Sequence, residues 1–201
     1  MIAPAWILSY FPEVSTVAPP GVSMKAPEQI ETSRLILHRP CRADAGEIFS
    51  RYASDPGVTT YMSFPTHCTL DDAYAFLSAS DAEWEHWPAG PYLMRLRADD
   101  TLVGGTGLHF ETSYRAMTGY ILAKDSWGKG FAQEGLQAMI GVARTAGVRR
   151  LYAVCHTGHE RSWRVLERCG FGREGILRAH TVFPNLASGR PEDVFSYALI
   201  L

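Results

Sequence analysis

The sequence predicts an α/β domain built on a mixed sheet. Three observations predict it. Strand-like runs are spread along the chain, two stretches repeat apolar residues at helical spacing, and the elements follow the order strand, two helices, antiparallel meander, then strand–helix–strand units. Thr32 to Pro40 alternates and is stopped by proline, which reads as a first strand. Asp44 to Ala53 reads as a short helix ending at the Asp55-Pro56-Gly57 turn. Thr69 can cap a second helix, with Asp71 and Asp72 suited to its first turn and Ala73, Phe76, Leu77, Trp84 and Trp87 on one face.

Three strand-like runs follow, Tyr92 to Arg97, Leu102 to Phe110 and Ala116 to Ala123, with Asp99-Asp100 as the first turn. Ala132, Leu136, Met139, Ile140 and Ala143 then form an apolar helical stripe, and Gly147 ends it. Leu151 to Cys155 reads as a short buried strand and Ser162 to Arg168 as a helix stopped by Gly170. Phe171 to Leu177 and Val194 to Leu201 complete the strands, joined by a long connection holding Pro184, Asn185, Gly189 and Pro191.

The chain has 201 residues, 46% of them hydrophobic, so it can bury one core without staples. Nineteen basic residues against 21 acidic ones leave a net charge of −2, which gives no overall basic field for nucleic acid or anionic lipid. No apolar run is long enough for a membrane span. The four cysteines show no paired spacing, and no secretory signal is evident, so free thiols in a reducing cytoplasm are expected. Residues 1–27 differ in kind. An apolar run broken by Pro4 leads into Pro12, Pro19, Pro20, Gly21 and Pro27, which reads as an arm packed on a surface or, alternatively, a dimerisation arm. The domain proper is expected over 28–201.

The most informative segment runs from Asp125 through Trp127-Gly-Lys-Gly-Phe-Ala132 to Glu134. A strand ends before it and a helix starts near Phe131. Glycines there let backbone N–H groups converge, and the helix N-terminus adds partial positive charge, so the turn suits a pyrophosphate; an empty turn fits the local pattern equally well. Neither a Walker loop nor a dinucleotide fingerprint is present. Cys155, His156 and His159 stand close in sequence, but nothing completes a tetrahedral metal set, and no metal is expected.

Trp127-Gly-Lys-Gly-Phe-Ala132 resembles the acyl-CoA-binding loop of the GNAT N-acetyltransferases, with Trp127 at the position where the general pattern has Gln or Arg. That exchange, together with Glu31-Thr-Ser-Arg-Leu-Ile-Leu-His-Arg-Pro40, Gly119-Tyr-Ile-Leu122 and Ser162-Trp-Arg-Val-Leu-Glu-Arg-Cys-Gly-Phe171, resembles the RimJ/RimL-like branch, and the likeness runs from about residue 30 to the end. It implies the GNAT fold, whose mostly antiparallel sheet, flanked by helices, splays at the acyl-CoA site. Pantetheine would lie between Tyr120-Ile-Leu122 and Ala153-Val-Cys155. The N–H groups of Gly128, Lys129, Gly130, Phe131 and Ala132 would hold the pyrophosphate of acetyl-CoA. The backbone at Ile121 and Leu122 would pair with pantetheine and polarise the thioester carbonyl. It also implies acetyl transfer to a primary amine, a protein N-terminus or a small molecule, by direct attack in a ternary complex.

The site residues follow from the same resemblance. His159 stands where the family usually has Asn, and it is a candidate contact to pantetheine. Leu166 stands where many members have an acidic Tyr, so Ser162 is the candidate proton donor to the leaving thiolate; an ordinary helix cap is the other reading of that serine. Arg168 is the candidate for the ribose phosphate. Glu111 is the candidate base, acting directly or through water, with His109 next, Glu134 also within the region, and His180 facing the acceptor. Tyr61, Met62, Phe64, Trp84, Trp87 and Phe183 form an apolar-aromatic set that reads as core packing or as the wall for a partly hydrophobic acceptor. Two other classes stay open: a non-catalytic CoA-binding module and an interaction domain working through the apolar arm.

Overall fold

A computed structural model describes residues 25–201. Most of the arm expected over 1–27 therefore lies outside the described residues. Its last three residues are fastened to the domain. Lys25 Nζ donates to the carbonyls of Trp84, Glu85 and Trp87, Ala26 N–H donates to the Pro88 carbonyl, and the Tyr92 hydroxyl donates to the Pro27 carbonyl. A lysine on the last carbonyls of a helix satisfies acceptors that the helix itself leaves open.

The strands are β1 (Gln29–Glu31), β2 (Leu35–His38), β3 (Pro91–Leu96), β4 (Leu102–Thr112), β5 (Arg115–Leu122), β6 (Arg150–His156), β7 (Gly172–Val182) and β8 (Pro191–Ile200). The helices are α1 (Ala45–Ile48), which runs on into a π-turned segment Phe49–Ala53, then α2 (Pro56–Thr59), α3 (Leu70–His86), α4 (Phe131–Thr145) and α5 (Glu160–Arg168). The sequence pattern anticipates most of these. The first strand differs: it is a hairpin of two, because Thr32 turns the chain by accepting the Leu35 N–H on its hydroxyl while Leu35 returns its carbonyl to Thr32 N–H. The Asp55-Pro56-Gly57 turn opens α2, with the Asp55 side chain accepting the Gly57 N–H. Thr69 is the N-cap of α3 as expected, and Asp72 closes back on its N–H to complete a capping box.

The sheet order is β1-β2-β3-β4-β5-β6-β8-β7. Every neighbouring pair is antiparallel except β5 and β6. That parallel pair is joined only at Arg115–Arg150, Ala116–Leu151 and Met117–Tyr152. Beyond Met117 the two strands part. β6 continues against β8 as far as His156, while β5 continues against β4 as far as Leu122. The splay implied by the resemblance is therefore built by two strands that each keep a partner on the other side.

Helices α4 and α5 cover one face, where Leu136, Met139, Ala143 and Leu166 pack with Leu108, Phe110, Ala116, Leu151 and Ala153. On the other face Ile48, Tyr52, Ala73 and Leu77, from α1 to α3, pack with Leu93 and Leu102. Among the described residues, no helix is long and apolar enough to cross a membrane.

One position fixes how β5 ends. Gly104 of β4 faces Leu122 at φ +154, and a Cβ there would stand 2.1 Å from the Ile121 carbonyl oxygen. Only a residue with no side chain admits so close a backbone approach. Gly104→Ala is therefore expected to lower stability by about 2–4 kcal/mol, measurable by urea unfolding.

Candidate functional site

The chain leaves β5 at Leu122, makes a short turn at Lys124–Ser126 and enters α4 through Gly128 and Gly130. Both glycines are left-handed, with φ of +75 and +82, and Gly130 is the N-cap. A glycine cap brings no side-chain acceptor. The first backbone bond, from Glu134 N–H to the Gly130 carbonyl, leaves the N–H groups that precede it in the turn facing outward. Nothing lies within 4 Å of where a Cβ at Gly128 would stand, so the turn is an open cup of N–H groups at the positive end of a helix dipole. The predicted residues Gly128, Lys129, Gly130, Phe131 and Ala132 form this cup.

Four interactions hold the cup. Trp127 Nε1 donates to the Leu122 carbonyl at 2.9 Å, tying the loop to the end of β5. Arg51 meets Asp125 through two bonds of 3.0 Å while its Nε donates to the Leu102 carbonyl. Arg34 Nη1 donates to the Lys129 carbonyl at 2.9 Å, and its guanidinium lies over the Phe131 ring. Last, Glu134 accepts from the Thr32 hydroxyl at 2.6 Å, the Ser33 hydroxyl at 2.9 Å, Arg34 N–H at 2.8 Å and Arg34 Nε at 2.7 Å. Partial burial alone would raise the Glu134 pKa, but these hydrogen bonds outweigh it and bring it down to about 2. Glu134 is thus a fixed anion and has no part as a base. The sequence offered Glu31-Thr-Ser-Arg34 only as a branch motif, and the structure shows its physical use.

The parted strands meet this cup at its inner side. Ala123 N–H donates to the Val103 carbonyl, so by strand alternation Ile121 points its amide to β4 while Leu122 and Tyr120 point theirs into the gap. Of the two backbone positions expected to meet pantetheine, Leu122 is the one that faces the gap. Its N–H is directed inward and its carbonyl is held by Trp127.

On the opposite wall, α5 starts at Glu160 with His159 as its N-cap, two residues before the start the pattern suggests. Ser162 lies in the first turn and makes no cap bond; its hydroxyl is 3.1 Å from the Tyr120 hydroxyl, which donates to the Ser162 carbonyl at 2.7 Å. The cap reading of Ser162 therefore gives way to a hydroxyl presented beside the gap. A tyrosine in an alternating strand reads as packing, and only the fold brings the Tyr120 hydroxyl to Ser162. Burial pushes its phenol up despite the Ser162 bond, so it stays neutral and acts as a donor. The His159 ring stacks on Tyr61 at 4.7 Å, and burial, together with His156 and Arg161, pushes its pKa down to about 4. It is neutral and committed to that stack. Arg168 is exposed at the far end of α5, where the neighbouring Cys169 thiol reaches the Gln133 carbonyl in the first turn of α4.

A cavity of ≈ 320 Å³ lies between α1–α3 and the sheet and extends to Tyr120 and Ile121 at the gap. Met62 and Phe64 line it, whereas Trp84 and Trp87 belong to the core and Phe183 packs against Tyr61 and His156. His109 lines it as well and meets Glu83 at 2.8 Å. A second, polar depression shares His109 and contains Glu111 and His180. There Glu111 accepts from the Tyr152 hydroxyl at 2.5 Å and pairs with Arg115 Nε at 2.6 Å, so both its oxygens are engaged. Among the described residues no cluster of three or more His, Cys, Asp or Glu is placed to hold a metal ion.

A family model described as an acetyltransferase (GNAT) domain matches residues 34–172. The uncharacterized N-acetyltransferase YoaA of Bacillus subtilis is 29% identical over 85% of this chain and 96% of its own length. The uncharacterized N-acetyltransferase p20 of Bacillus licheniformis is 28% identical over 86% and 96%. Among solved structures, the microcin C7 self-immunity acetyltransferase MccE, in complex with acetyl-CoA and AMP, superposes with a TM-score of 0.77 at 19% identity, covering 88% of this chain and 98% of that one. RimL, a ribosomal L7/L12 alpha-N-protein acetyltransferase in complex with coenzyme A, superposes with a TM-score of 0.76 at 19% identity, covering 87% and 98%.

The Glu134 clamp can be tested by stability. Its folded pKa of about 2 lies below the ordinary 4.5, so its contribution is whole above pH 4.5 and fades as the pH falls toward 2. Glu134→Gln is expected to cost roughly 2–3 kcal/mol at pH 7, and the gap from wild type should close through that acid window in urea unfolding.

Proposed function

Since the chain belongs to the GNAT acetyltransferase family, we propose that it transfers an acetyl group from acetyl-CoA to a primary amine by direct attack in a ternary complex. One observation carries this reading: β5 and β6 part after Met117 beside a helix N-terminus that has no cap of its own. A thioester carrier needs both features, a cup for its diphosphate and a slot for its extended arm. MccE and RimL, which share the fold, were solved with acetyl-CoA and with coenzyme A respectively.

In this reading the N–H groups from Gly128 to Ala132 hold the diphosphate, with Lys129 at the rim and Arg168 toward the ribose phosphate. Pantetheine runs along Leu122 as an added strand edge. The Leu122 N–H polarises the thioester carbonyl and stabilises the oxyanion as the amine attacks. His159, at the base of α5, shapes the wall of the slot.

The protons balance as follows. The acceptor arrives as an ammonium ion and must lose one proton before its nitrogen can attack. The His109–Glu83 pair, on the wall of the cavity that reaches the gap, takes it. Glu111 stands in the adjoining depression as the outward end of that route, its oxygens held by Arg115 and Tyr152. The C–N bond forms, the adduct loses its second N–H proton, the C–S bond breaks, and the thiolate receives a proton from the Ser162 hydroxyl. The proton shed by the adduct restores the Ser162 hydroxyl, and the proton taken from the ammonium passes to solvent, so each amide formed releases one proton net. A thiol with a pKa near about 8.5 leaves easily, so the demand on Ser162 is modest.

Thiol release from acetyl-CoA across a panel of amines tests the reading. Gly130→Glu places a carboxylate in the cup and is expected to abolish measurable CoA binding by calorimetry. Ser162→Ala is expected to lower kcat by about 10–100-fold, and His109→Gln to lower it more than Glu111→Gln does. Wild-type protein that binds no CoA would refute the assignment.

A further inference from the structure

The cavity between α1–α3 and the sheet carries more information than its position. Its floor holds three glycines, of which Gly107 lies under Pro91, whose Cα would stand 2.8 Å from a Cβ there. Gly107 of β4 and Gly119 of β5 are directly paired, and Gly105 lies two residues along the same face. Paired glycines weaken a sheet interior, because they lose chain entropy and give the sheet no side chain to pack. At Gly119 a Cβ would meet nothing within 4 Å, so close packing does not demand glycine there. Gly119 is itself exposed, so the glycine keeps the mouth of the cavity open where a side chain would narrow it.

The walls are selective in charge. Ile48, Met62, Phe64, Phe76 and Ile121 supply apolar surface. Neither lysine nor arginine lines the cavity among the described residues, and Glu83, bound to His109, is its one carboxylate. An acceptor carrying its own carboxylate or phosphate would be buried there without a countercharge, which is strongly unfavourable. A polyamine would bring several cationic centres to a single acid. A sugar would bring many hydroxyls to apolar walls.

Two polar atoms remain. Ser80, on α3, and His67 are lining residues that are 2% and 6% exposed, and Ser80 Oγ and His67 Nδ1 are buried behind the cavity surface with no hydrogen-bond partner. A buried polar atom left without a partner is costly, and native structures keep few of them. Two behind the surface of one cavity mark a place where a ligand supplies the missing partner.

We infer that the acceptor is a small primary monoamine on a compact, ring-sized apolar body that carries one neutral hydrogen-bonding group and no acid. Its body lies on the glycine floor. Its neutral polar group meets Ser80 and His67, and its amine points past Ile121 to the gap. This rests on the acetyltransfer reading above and adds the substrate class.

Tyramine is the matching probe, with 2-phenylethylamine lacking the hydroxyl, tyrosine adding a carboxylate, and spermidine, glucosamine and a serine-initiated tetrapeptide as the other classes. Thiol release is expected to show kcat/KM for tyramine at least about tenfold above that for tyrosine, spermidine, glucosamine and the peptide. Gly119→Val should raise KM for tyramine about tenfold while CoA affinity by calorimetry is unchanged. Ser80→Ala should erase most of the preference for tyramine over 2-phenylethylamine without lowering Tm, because it removes an unpartnered group. A higher kcat/KM for the peptide, spermidine, glucosamine or tyrosine overturns the inference and leaves acetyltransfer standing. So does a Ser80→Ala variant that loses stability but keeps the preference, or a Gly119→Val variant with unchanged KM. Protein that binds CoA yet releases thiol with none of these amines overturns the substrate class, and failure to bind CoA overturns the reading beneath it.

Discussion

The site depends on one carboxylate. Glu134 sits in the first turn of α4 and is held by Thr32, Ser33 and Arg34, the turn between β1 and β2. Those residues lie at the far end of the sheet order from β6 and near the opposite end of the sequence. The pairing therefore does long-range work: it fixes the rotation and height of a helix whose own N-terminus lacks a cap. A helix start normally satisfies its exposed N–H groups with a serine, threonine or aspartate. Here the cap is a left-handed glycine, and those donors stay available for an anion. The stabilisation a cap would have given comes instead from the clamp one turn further in. Arg34 extends the same device to the loop by holding the Lys129 carbonyl.

A second constraint acts through β4. Its glycines do two different jobs. Gly104 lets the end of β5 approach closely, which sets where Leu122 presents its backbone. Gly107 admits the close approach of Pro91 from β3, and Gly105, with Gly119 on β5, leaves the neighbouring cavity without side chains at those points. The pairing of β4 with β5 survives because it continues through Phe110–Ala116 into the core, where both are buried. The two strands thus stay paired along the whole ladder, from Gly104–Leu122 to Thr112–Arg115. β6 does the same with β8, and the gap opens between two strands that are each fully paired elsewhere.

Much of this was legible in the sequence. The helical stripe from Ala132 to Ala143, the cap at Thr69 and the order of strands follow from spacing alone, because local periodicity and capping chemistry decide them. The glycine turn before Phe131 was legible for the same reason. What could not be read were contacts across long separations. Nothing near Glu134 announces Thr32, and a glutamate in a first helical turn reads as dipole compensation. Arg51 gives no local sign that it will meet Asp125. Tyr120 alternates like any strand residue, so its reach to Ser162 depends on a splay that only the sheet topology creates. Glu111 reads as a candidate base by position, and only the fold shows Arg115 and Tyr152 closing on it.

The departures from the family pattern make sense together. His159 replaces an amide side chain, yet burial, with His156 and Arg161 beside it, keeps it neutral, so the slot gains no charge from the exchange. Its ring stacks on Tyr61, which comes from the segment that Asn185 holds through Thr66, Thr59 and Phe64. The α5 N-terminus is thereby joined to the loops that rim the cavity. An asparagine could not stack in this way. The missing tyrosine at Leu166 is matched by a phenol arriving from the other side of the gap, where Tyr120 bonds the carbonyl and approaches the hydroxyl of Ser162. Leu166 in turn is free to be core, 2% exposed beneath α5. Both exchanges leave the wall of the gap uncharged, since burial holds His159 and the Tyr120 phenol neutral.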